Sequence, residues 1–415
     1  MDIKINIPNN VKMIIDKLKY AGHESVIIGG CVRDSIMGEI PHDWDIATSA
    51  QPEEIMECFD GFRLMTAGLK HGTVTIIIDH EPFEVTTYRI DGKYTDFRRP
   101  DTVDFTSNLS EDIKRRDFTI NAIAYDGEKI IDLHDGIGDL ERGIIRCVGN
   151  ADDRFQEDPL RIMRALRFAA RFNFKIEDST KEAMVKNARL LDKIAMERKQ
   201  NEFSKAICSS NIEVLKDYAD ILSYVMPELS NISDFGLVID MVDTCKNLEE
   251  KLAIFVDSLG ISYYNDVVKV ISGTMKYPNK ITKSVWNIID GKRMMITNTV
   301  LCVKNMLFKF PPEDVEHILN YKYARIKYGN MEKYGKKFLS EIDDIKKLVR
   351  MISSKQSNEC YNFKGLAING RDLKELGVDD LEIKNYLTNL LYLVTTNQVK
   401  NKKESLIEVV EISFL

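Results

Sequence analysis

The chain has 415 residues, 44% of them hydrophobic, enough to bury more than one core; at roughly 100–200 residues per domain this suggests two to four domains and excludes a small disulfide scaffold. Its 58 Lys and Arg against 65 Asp and Glu give a formal net charge of -7, so a polyanionic partner has to be met by a local basic surface. The cysteines (Cys31, Cys58, Cys147, Cys208, Cys245, Cys302 and Cys360) are scattered and never form a C-x-x-C pair, which fits reduced thiols and offers no zinc knuckle. No window of about 18 residues is uniformly apolar, and the opening MDIKINIPNNVKMIIDKLKY lacks a cleavage-type tail. The expectation is a soluble, cytoplasmic chain with no membrane contact.

From Ser25 to about Val148, short apolar runs are cut by Gly, Pro and Asp: SVIIGG, DWDIAT, TVTIIID, FEVTTYR, TINAIAYD and KIIDLHD. These are strand signals, and Thr73–Asp79 with Phe83–Tyr88, joined by His80, Glu81 and Pro82, reads as a hairpin. After about Asn150 the apolar residues fall at three- and four-residue spacings, so the remainder is expected to be mostly helical. Gly and Pro punctuate SGTMKYPNK and FKFPPED, placing a boundary near 270–285. There is no internal repeat and no low-complexity tract.

The stretch VIIGGCVRDSIMGEIPHDWDIATSA carries the most chemistry. Val26–Ile28 reads as a buried strand. Gly29 and Gly30 let the backbone turn tightly with amide N–H groups exposed toward an anion, and the run to Met37 can form a short helix. Arg33 adds a charge-assisted donor, so a phosphate-bearing ligand suits this corner. Asp43 and Asp45 flank Trp44, and the period-two rule projects both carboxylates from one face. Such a pair can hold Mg²⁺ ions that orient a triphosphate and activate a hydroxyl. Glu84, in FEVTT, is the third acid if its strand lies beside the first. His42 is neither ligand nor base, because hard Mg²⁺ prefers oxygen ligands. Trp44 is expected to anchor the core. Alone, Gly-Gly is an ordinary turn and D-x-D an ordinary solvated strand end; their order within one short stretch points to metal and phosphate.

SEDIKRRDFTINAIAYD places Arg115 and Arg116 before Asp117, Thr119 and Asn121. Adjacent arginines cannot share a helix face, so one can reach a phosphate or ribose while the other binds an acid of the scaffold; the order of the two stays open. RFQEDPLRIMRALRFAARF sets Arg161, Arg164, Arg167 and Arg171 on one amphipathic helix, with Asp158 as its cap or as a ligand, and Pro159 at its first position. Cytosine and adenine both present an exocyclic amino donor beside a ring-nitrogen acceptor. A carboxylate (Asp158) can accept from the first while a guanidinium (Arg161) donates to the second. Uracil and guanine invert the pattern, and each mismatched buried group costs about 1–3 kcal/mol, roughly 10- to 100-fold. Arg164 and Arg167 would then orient base, ribose or phosphate.

GGCVRD…DWDIAT (Gly29–Thr48), RRDFTINA (Arg115–Ala122), EDPLRIMRALRFAARF (Glu157–Phe172) and MERKQNEFSK (Met196–Lys205) occur in an order that resembles the class II tRNA nucleotidyltransferases, or CCA-adding enzymes, whose head is shared with bacterial poly(A) polymerases. The resemblance covers roughly the first 210 residues. It implies an α/β polymerase-β-type nucleotidyltransferase head (1–148) followed by all-helical neck (149–210), body (211–280) and tail (281–415) domains. It also implies Asp43 and Asp45 as carriers of two magnesium ions and Gly30 and Arg33 at the triphosphate, with Gly29 in the same turn. Asp158 and Arg161 would pair with the base, and Arg164, Arg167 and one of Arg115 and Arg116 would complete the pocket.

YRIDGKYTDFRRPDTVDFTSNLSED (Tyr88–Asp112) resembles the full loop of enzymes that add all three nucleotides, and LAINGRDLKELGV (Leu366–Val378) resembles the bacterial tail. No H-D phosphohydrolase motif is present. Between Arg142 and Lys205 there are 15 Lys and Arg against 10 Asp and Glu, and between Tyr321 and Lys355 there are 10 against 4, interleaved with Tyr321, Tyr323, Tyr328 and Tyr334. Such surfaces suit phosphate contacts to RNA; a solvated helix face with core tyrosines is the other reading of the second patch. The expected reaction is attack by the tRNA 3′-hydroxyl on the α-phosphate of CTP, CTP again, then ATP, releasing pyrophosphate, with no obligate protein partner. A poly(A) polymerase would use ATP alone, a CC-only enzyme would have a shortened loop, and a non-catalytic RNA-binding protein would show no magnesium-dependent incorporation.

Overall fold

The computed structural model describes residues 4–92, 94, 97, 102–329, 333–354, 357 and 359–412. They pack as two units, the first ending at Ser230 and the second starting at Asn231. The first begins with helix α1 (Asn9–Tyr20), strand β1 (Ser25–Ile28), α2 (Gly30–Ile36), β2 (Asp45–Thr48), α3 (Pro52–Cys58), β3 (Arg63–Met65), β4 (Thr73–Ile78) and β5 (Glu81–Thr87). Next come β6 (Arg89–Asp91), β7 (Val103–Phe105), α4 (Leu109–Lys114), β8 (Ile123–Tyr125), β9 (Ile130–Asp132) and α5 (Gly136–Arg142).

Seven strands form one sheet in the order β3-β4-β5-β2-β1-β8-β9. All neighbours are antiparallel except β2 and β5, which run parallel. One sheet face carries Ile27, Ile46, Val74, Ile76, Val85 and Tyr125 into a core shared with Val11, Ile14, Ile15 and Leu18 of α1, Val32 of α2 and Ile55 of α3. Burying each such aliphatic side chain is worth about 1.5–3 kcal/mol, which is what holds α1 to the sheet. The opposite face carries Val26, Ile28, Ala47 and Ala124 against Tyr88, Leu109 and Ile113. Trp44 packs at the edge of the first core.

The β4–β5 connection differs from expectation. It is the two residues Asp79 and His80, both at positive φ (51° and 68°), and Glu81 and Pro82 already belong to β5. The primed-type turn that matches strand twist needs left-handed conformations at both central positions, which Asp tolerates better than most residues. Pro82 is admitted because β2 pairs with β5 only from Glu84 onward, leaving Pro82 in an overhang.

The first unit continues with β10 (Ile144–Ile145), α6 (Ala151–Glu157), α7 (Leu160–Phe172), β11 (Lys175–Ile176), α8 (Asp178–Asn187), α9 (Met196–Ile207) and α10 (Ala219–Leu222). Asn150 caps α6 through a 3.0 Å bond from the Asp152 N–H, and Asn173, in the left-handed region at φ 57°, ends α7. The second unit is helical among its described residues: α11 (Phe235–Thr244), α12 (Leu248–Ser258), α13 (Tyr264–Val268), α14 (Asn279–Gly291), α15 (Val300–Lys309), α16 (Pro312–Tyr328), α17 (Lys333–Ser353), α18 (Gly370–Glu375), α19 (Ile383–Thr395) and α20 (Lys403–Ile412). Leu373, Leu390, Leu391, Val394, Leu406 and Val410 form a cluster of their own in α18–α20. Among the described residues no helix is long and apolar enough to cross a membrane.

Candidate active site

Strand β1 runs straight into Gly29, whose φ of 88° and ψ of -132° suit glycine alone. Its N–H bonds the Ile123 carbonyl at 3.0 Å. A Cβ at this position would lie 3.0 Å from Arg116 Nη1 and 3.9 Å from Asp45 Oδ2, so the missing side chain lets a guanidinium and a carboxylate close on the turn. At Gly30 an added Cβ would meet only Arg33, at 3.5 Å.

Asp45 in β2 stands directly beside Glu84 in β5, in parallel register. Ile46 and Val85 point into the first core, so both acids leave the opposite face together, and both are exposed. Asp43 sits in the bend just before β2, also exposed. Although its tip opens to solvent, Asp45 is crowded by protein, and this desolvation raises its pKa above the ordinary carboxylate value; Arg116 opposes the rise and Asp43 adds to it. A cleft of about 800 Å³ is lined by all three acids together with Asn9, Asn10, His42 and Trp44.

The acids fit a hard divalent cation. Asp43 and Asp45, which repel one another and open to the cleft, gain from a cation between them. Among the described residues no group of three or more His, Cys, Asp or Glu side chains is gathered closely enough to hold a metal ion, so any ion here rests on two carboxylates at most. An open platform of this kind suits Mg²⁺, which keeps waters and takes substrate phosphates beside one or two carboxylates.

The structure separates the adjacent arginines. Arg115 is bound by Asp112 (Nη2–Oδ1 2.6 Å, Nε–Oδ1 3.0 Å) and lies 3.8 Å from Asp91. Arg116 keeps only one longer contact to Asp112, at 3.3 Å, and leans over Gly29 toward Asp45, its buried Nε without a partner. Arg33 is 4% exposed. It pairs with Asp34 at 2.6 Å, donates to Asn121 Oδ1 and stacks its guanidinium over Phe168 and Phe172, 5.2 and 4.8 Å from the ring centroids. It therefore ties α2 to α7 while its Nη2 stays beside Gly30.

On α7 each arginine meets an acid from another segment. Arg161 binds Glu157 Oε2 at 3.0 Å and the Arg115 carbonyl at 2.8 Å. Arg164 grips Asp117 with Nε at 2.8 Å and Nη2 at 2.6 Å. Arg167 meets Glu202 at 3.1 Å and lies over Phe168; burial lowers its pKa to about 10, with Glu202 resisting. Arg171 reaches Asp34 and Glu39. Of the two roles weighed for Asp158, the structure shows the capping one: Oδ1 accepts the Leu160 N–H at 3.1 Å, while Oδ2 accepts from Arg198 at 3.0 Å. Arg198 and Glu202 were not singled out from the sequence; both lie in MERKQNEFSK, where an Arg and a Glu four residues apart on one helix face are the available signal.

In the second unit Tyr321 is a core residue whose hydroxyl bonds Asp257 at 2.5 Å, and Lys322 is buried, donating to the carbonyls of Lys292 and Met294. Tyr323 and Tyr328 are half-buried, while Arg325, Lys327, Lys336, Lys337, Lys347 and Arg350 are exposed. Lys355 lies outside the described residues, as do the side chains of Lys333 and Tyr334. The Tyr88–Asp112 loop has paired ends, β6 with β7, and its middle lies largely outside the described residues.

Residues 25–146 match the family described as "Poly A polymerase head domain", and residues 173–232 that described as "Probable RNA and SrmB- binding site of polymerase A". The CCA-adding enzyme of Lactobacillus delbrueckii subsp. bulgaricus is 47% identical over 224 residues, 53% of this chain and 56% of that relative, so the match spans about half of its length. The CCA-adding enzyme of Ligilactobacillus salivarius is 35% identical over 412 residues, 97% of this chain and 96% of the relative. The chain belongs to the CCA-adding enzymes. A crystal structure of the Bacillus stearothermophilus CCA-adding enzyme in complex with CTP superposes with a TM-score of 0.79 at 27% identity, covering 98% of both chains. The family expected from the motifs is the family found, and with it the polymerase-β-type head followed by a mostly helical remainder. CCA-adding enzymes are nucleotidyltransferases, generally dependent on a divalent metal ion.

Proposed function

We propose that this chain adds C, C and A to the 3′ end of tRNA from CTP and ATP, releasing pyrophosphate at each step. The observation that carries the reading is the pairing of Asp45 with Glu84 in one sheet register, beside a glycine turn crossed by Arg116. Across the sheet the order is β5, β2, β1, so the acids stand between the Gly29 turn and the cleft beside Glu84. In-line displacement needs the incoming hydroxyl and the departing pyrophosphate on opposite sides of the α-phosphate. The triphosphate then rests on the amides of Gly29 and Gly30 with Arg116, and the RNA end enters from the cleft.

Asp43 and Asp45 would hold Mg²⁺, which stabilises the charge on the attacking and leaving oxygens when bound. Glu84 orients the 3′-hydroxyl and takes up its proton. Asp158, through its remaining acceptor capacity, accepts from the amino group of cytosine N4 or adenine N6, and Arg161, held by Glu157, donates to the adjacent ring nitrogen. Arg164, Arg167 and Arg33 frame this pocket, and Arg115 braces Arg116 through their shared Asp112. The division into head, neck, body and tail at 148, 210 and 280 is part of the same reading. So are tRNA contact through the exposed basic residues of α16 and α17, and a cytoplasmic location.

The test supplies tRNA ending before, within or after CCA with CTP and ATP, separately and together. Two C additions with CTP, one A only after them, and no further extension support the reading. Repeated A addition to varied RNA would point to a poly(A) polymerase, and wild-type activity in Asp45→Asn would overturn the site.

A further inference from the structure

The Asp158 carboxylate is held from two sides by groups on different helices. Its Oδ1 accepts the Leu160 N–H at the start of α7, and its Oδ2 accepts from Arg198 Nη2, 3.0 Å away, in the first turn of α9. Both side chains are largely shielded, at 17% exposure for Asp158 and 23% for Arg198. Among the described residues Arg198 makes this ion pair alone, whereas the arginines of α7 are committed to Glu157, Asp117, Glu202 and Asp34.

We infer that Arg198 is a positioning residue for base selection: it prevents Asp158 from rotating away from a wrong base. This rests on the proposed pairing of Asp158 with the base. A carboxylate oxygen carries two lone pairs, so Oδ2 accepts from Arg198 and still has capacity for an exocyclic amino group. A right base needs no more than that. A wrong base, uracil or guanine, brings a carbonyl oxygen to the same place. A free Asp158 would relieve the oxygen–oxygen repulsion by turning about its side-chain torsions, at a cost of about 0.5–1.5 kcal/mol for a modest departure from its preferred rotamer. A carboxylate pinned by a charge-assisted bond and a backbone N–H cannot turn, and the repulsion is felt in full. Selectivity here comes from stiffness: Arg198 touches no base in this scheme, yet sets how much a mismatch costs.

The experiment measures kcat/KM for CTP and UTP on tRNA lacking CCA, and for ATP and GTP on tRNA ending in CC, with wild type, Arg198→Met, Arg198→Lys, Asp158→Ala and the double variant Arg198→Met/Asp158→Ala. The expected result is a tenfold or greater fall in the C-over-U and A-over-G ratios in Arg198→Met, arising mainly from faster use of UTP and GTP. Arg198→Lys restores at least part of the ratio. Adding Arg198→Met to Asp158→Ala changes the ratio no further, because the arginine acts only through that carboxylate. A purely structural role would slow all four nucleotides alike. Unchanged ratios in Arg198→Met, or a further loss in the double variant, overturn the inference. Should Arg198→Met not fold, the shorter, uncharged Arg198→Gln takes its place: a lowered ratio is expected there, and wild-type discrimination refutes the inference. An Asp158→Ala enzyme that kept full C/A preference would instead overturn the base-pairing proposal itself.

Discussion

Asp117→Asn probes the bond that joins the RRDFTINA segment to α7. Asp117 is 9% exposed, its Oδ1 accepting from Asn121 Nδ2 at 3.1 Å and the Phe118 N–H at 2.8 Å, its Oδ2 from Arg164. Burial by itself would raise this carboxyl; Arg164 above all, with Asn121 and Arg161, outweighs it and holds the group down to about 2, against an ordinary 3.8. At about 1.36 kcal/mol per pKa unit, the charged form contributes ~2–3 kcal/mol to folding. Because the folded value is depressed, this contribution is complete above the unfolded value and is lost as pH falls from about 4 toward 2. Asp117→Asn lacks it at every pH. In a Trp286→Phe background, Trp44 fluorescence reports the first unit alone, since the chain has only two tryptophans. Urea unfolding at pH 7 should show the variant less stable by ~2–3 kcal/mol, with the gap unchanged at pH 5 and reduced to about half near pH 3. A gap below about 0.5 kcal/mol at pH 7, or one that stays constant into acid, would refute the assignment of this energy to the Asp117–Arg164 pair.

Three further outcomes follow from the site. Gly29→Ala forces a side chain into a glycine-only conformation and against Arg116; unfolding should show a loss of about 1–3 kcal/mol, and nucleotide KM should rise, in proportion to the strain. Arg115→Met and Arg116→Met should divide their effects, the first lowering the melting temperature more and the second weakening nucleotide use at least tenfold; equal effects on both measures would remove the distinction drawn from Asp112 and Gly29. Chelation by EDTA should abolish incorporation and Mg²⁺ should restore it, while Glu84→Gln lowers kcat by roughly 10²- to 10⁴-fold at saturating CTP, the size of a lost proton acceptor; activity surviving chelation would exclude the carboxylate platform.

The corner of the candidate site was legible as geometry because its residues are close in sequence and each is demanded by local structure. A strand, a glycine turn and a D-x-D can be read from GGCVRD…DWDIAT without knowing any long-range contact, and Glu84 required only the guess that two strands are neighbours. The ion pairs were not legible. Nothing local to RIMRALRF states that Arg164 meets Asp117, or that Arg198, 40 residues beyond Asp158, closes on it. Arg33 shows the same limit: its place beside the turn could be read locally, but not that Phe168, Phe172 and Asn121 arrive from distant segments to hold it. The hairpin was misread by two residues because Pro82 signals a turn, and only the overhang of β5 beyond β2 explains why it is tolerated in a strand. In the Tyr321–Lys355 patch, charge and aromatic content could not distinguish Tyr321 and Lys322, which are interior, from the exposed cations beyond them.

The lone parallel pairing in the sheet has a consequence for how the chain tolerates insertions. Glu84 shares a side of the sheet with Asp45 only because their alignment is of the right parity. Moving β5 by a single position against β2 would swing Glu84 into the hydrocarbon interior and present Phe83 or Val85 to the cleft. A shift of two positions would instead bring Pro82 or Thr86 alongside Asp45 and leave the core in place. Length changes in the 49–80 segment are therefore harmless when absorbed in its connections and ruinous when they slide the strand, an odd step by reversing its faces and an even one by parting Glu84 from Asp45, so the gap between the two acids can vary freely while their alignment cannot.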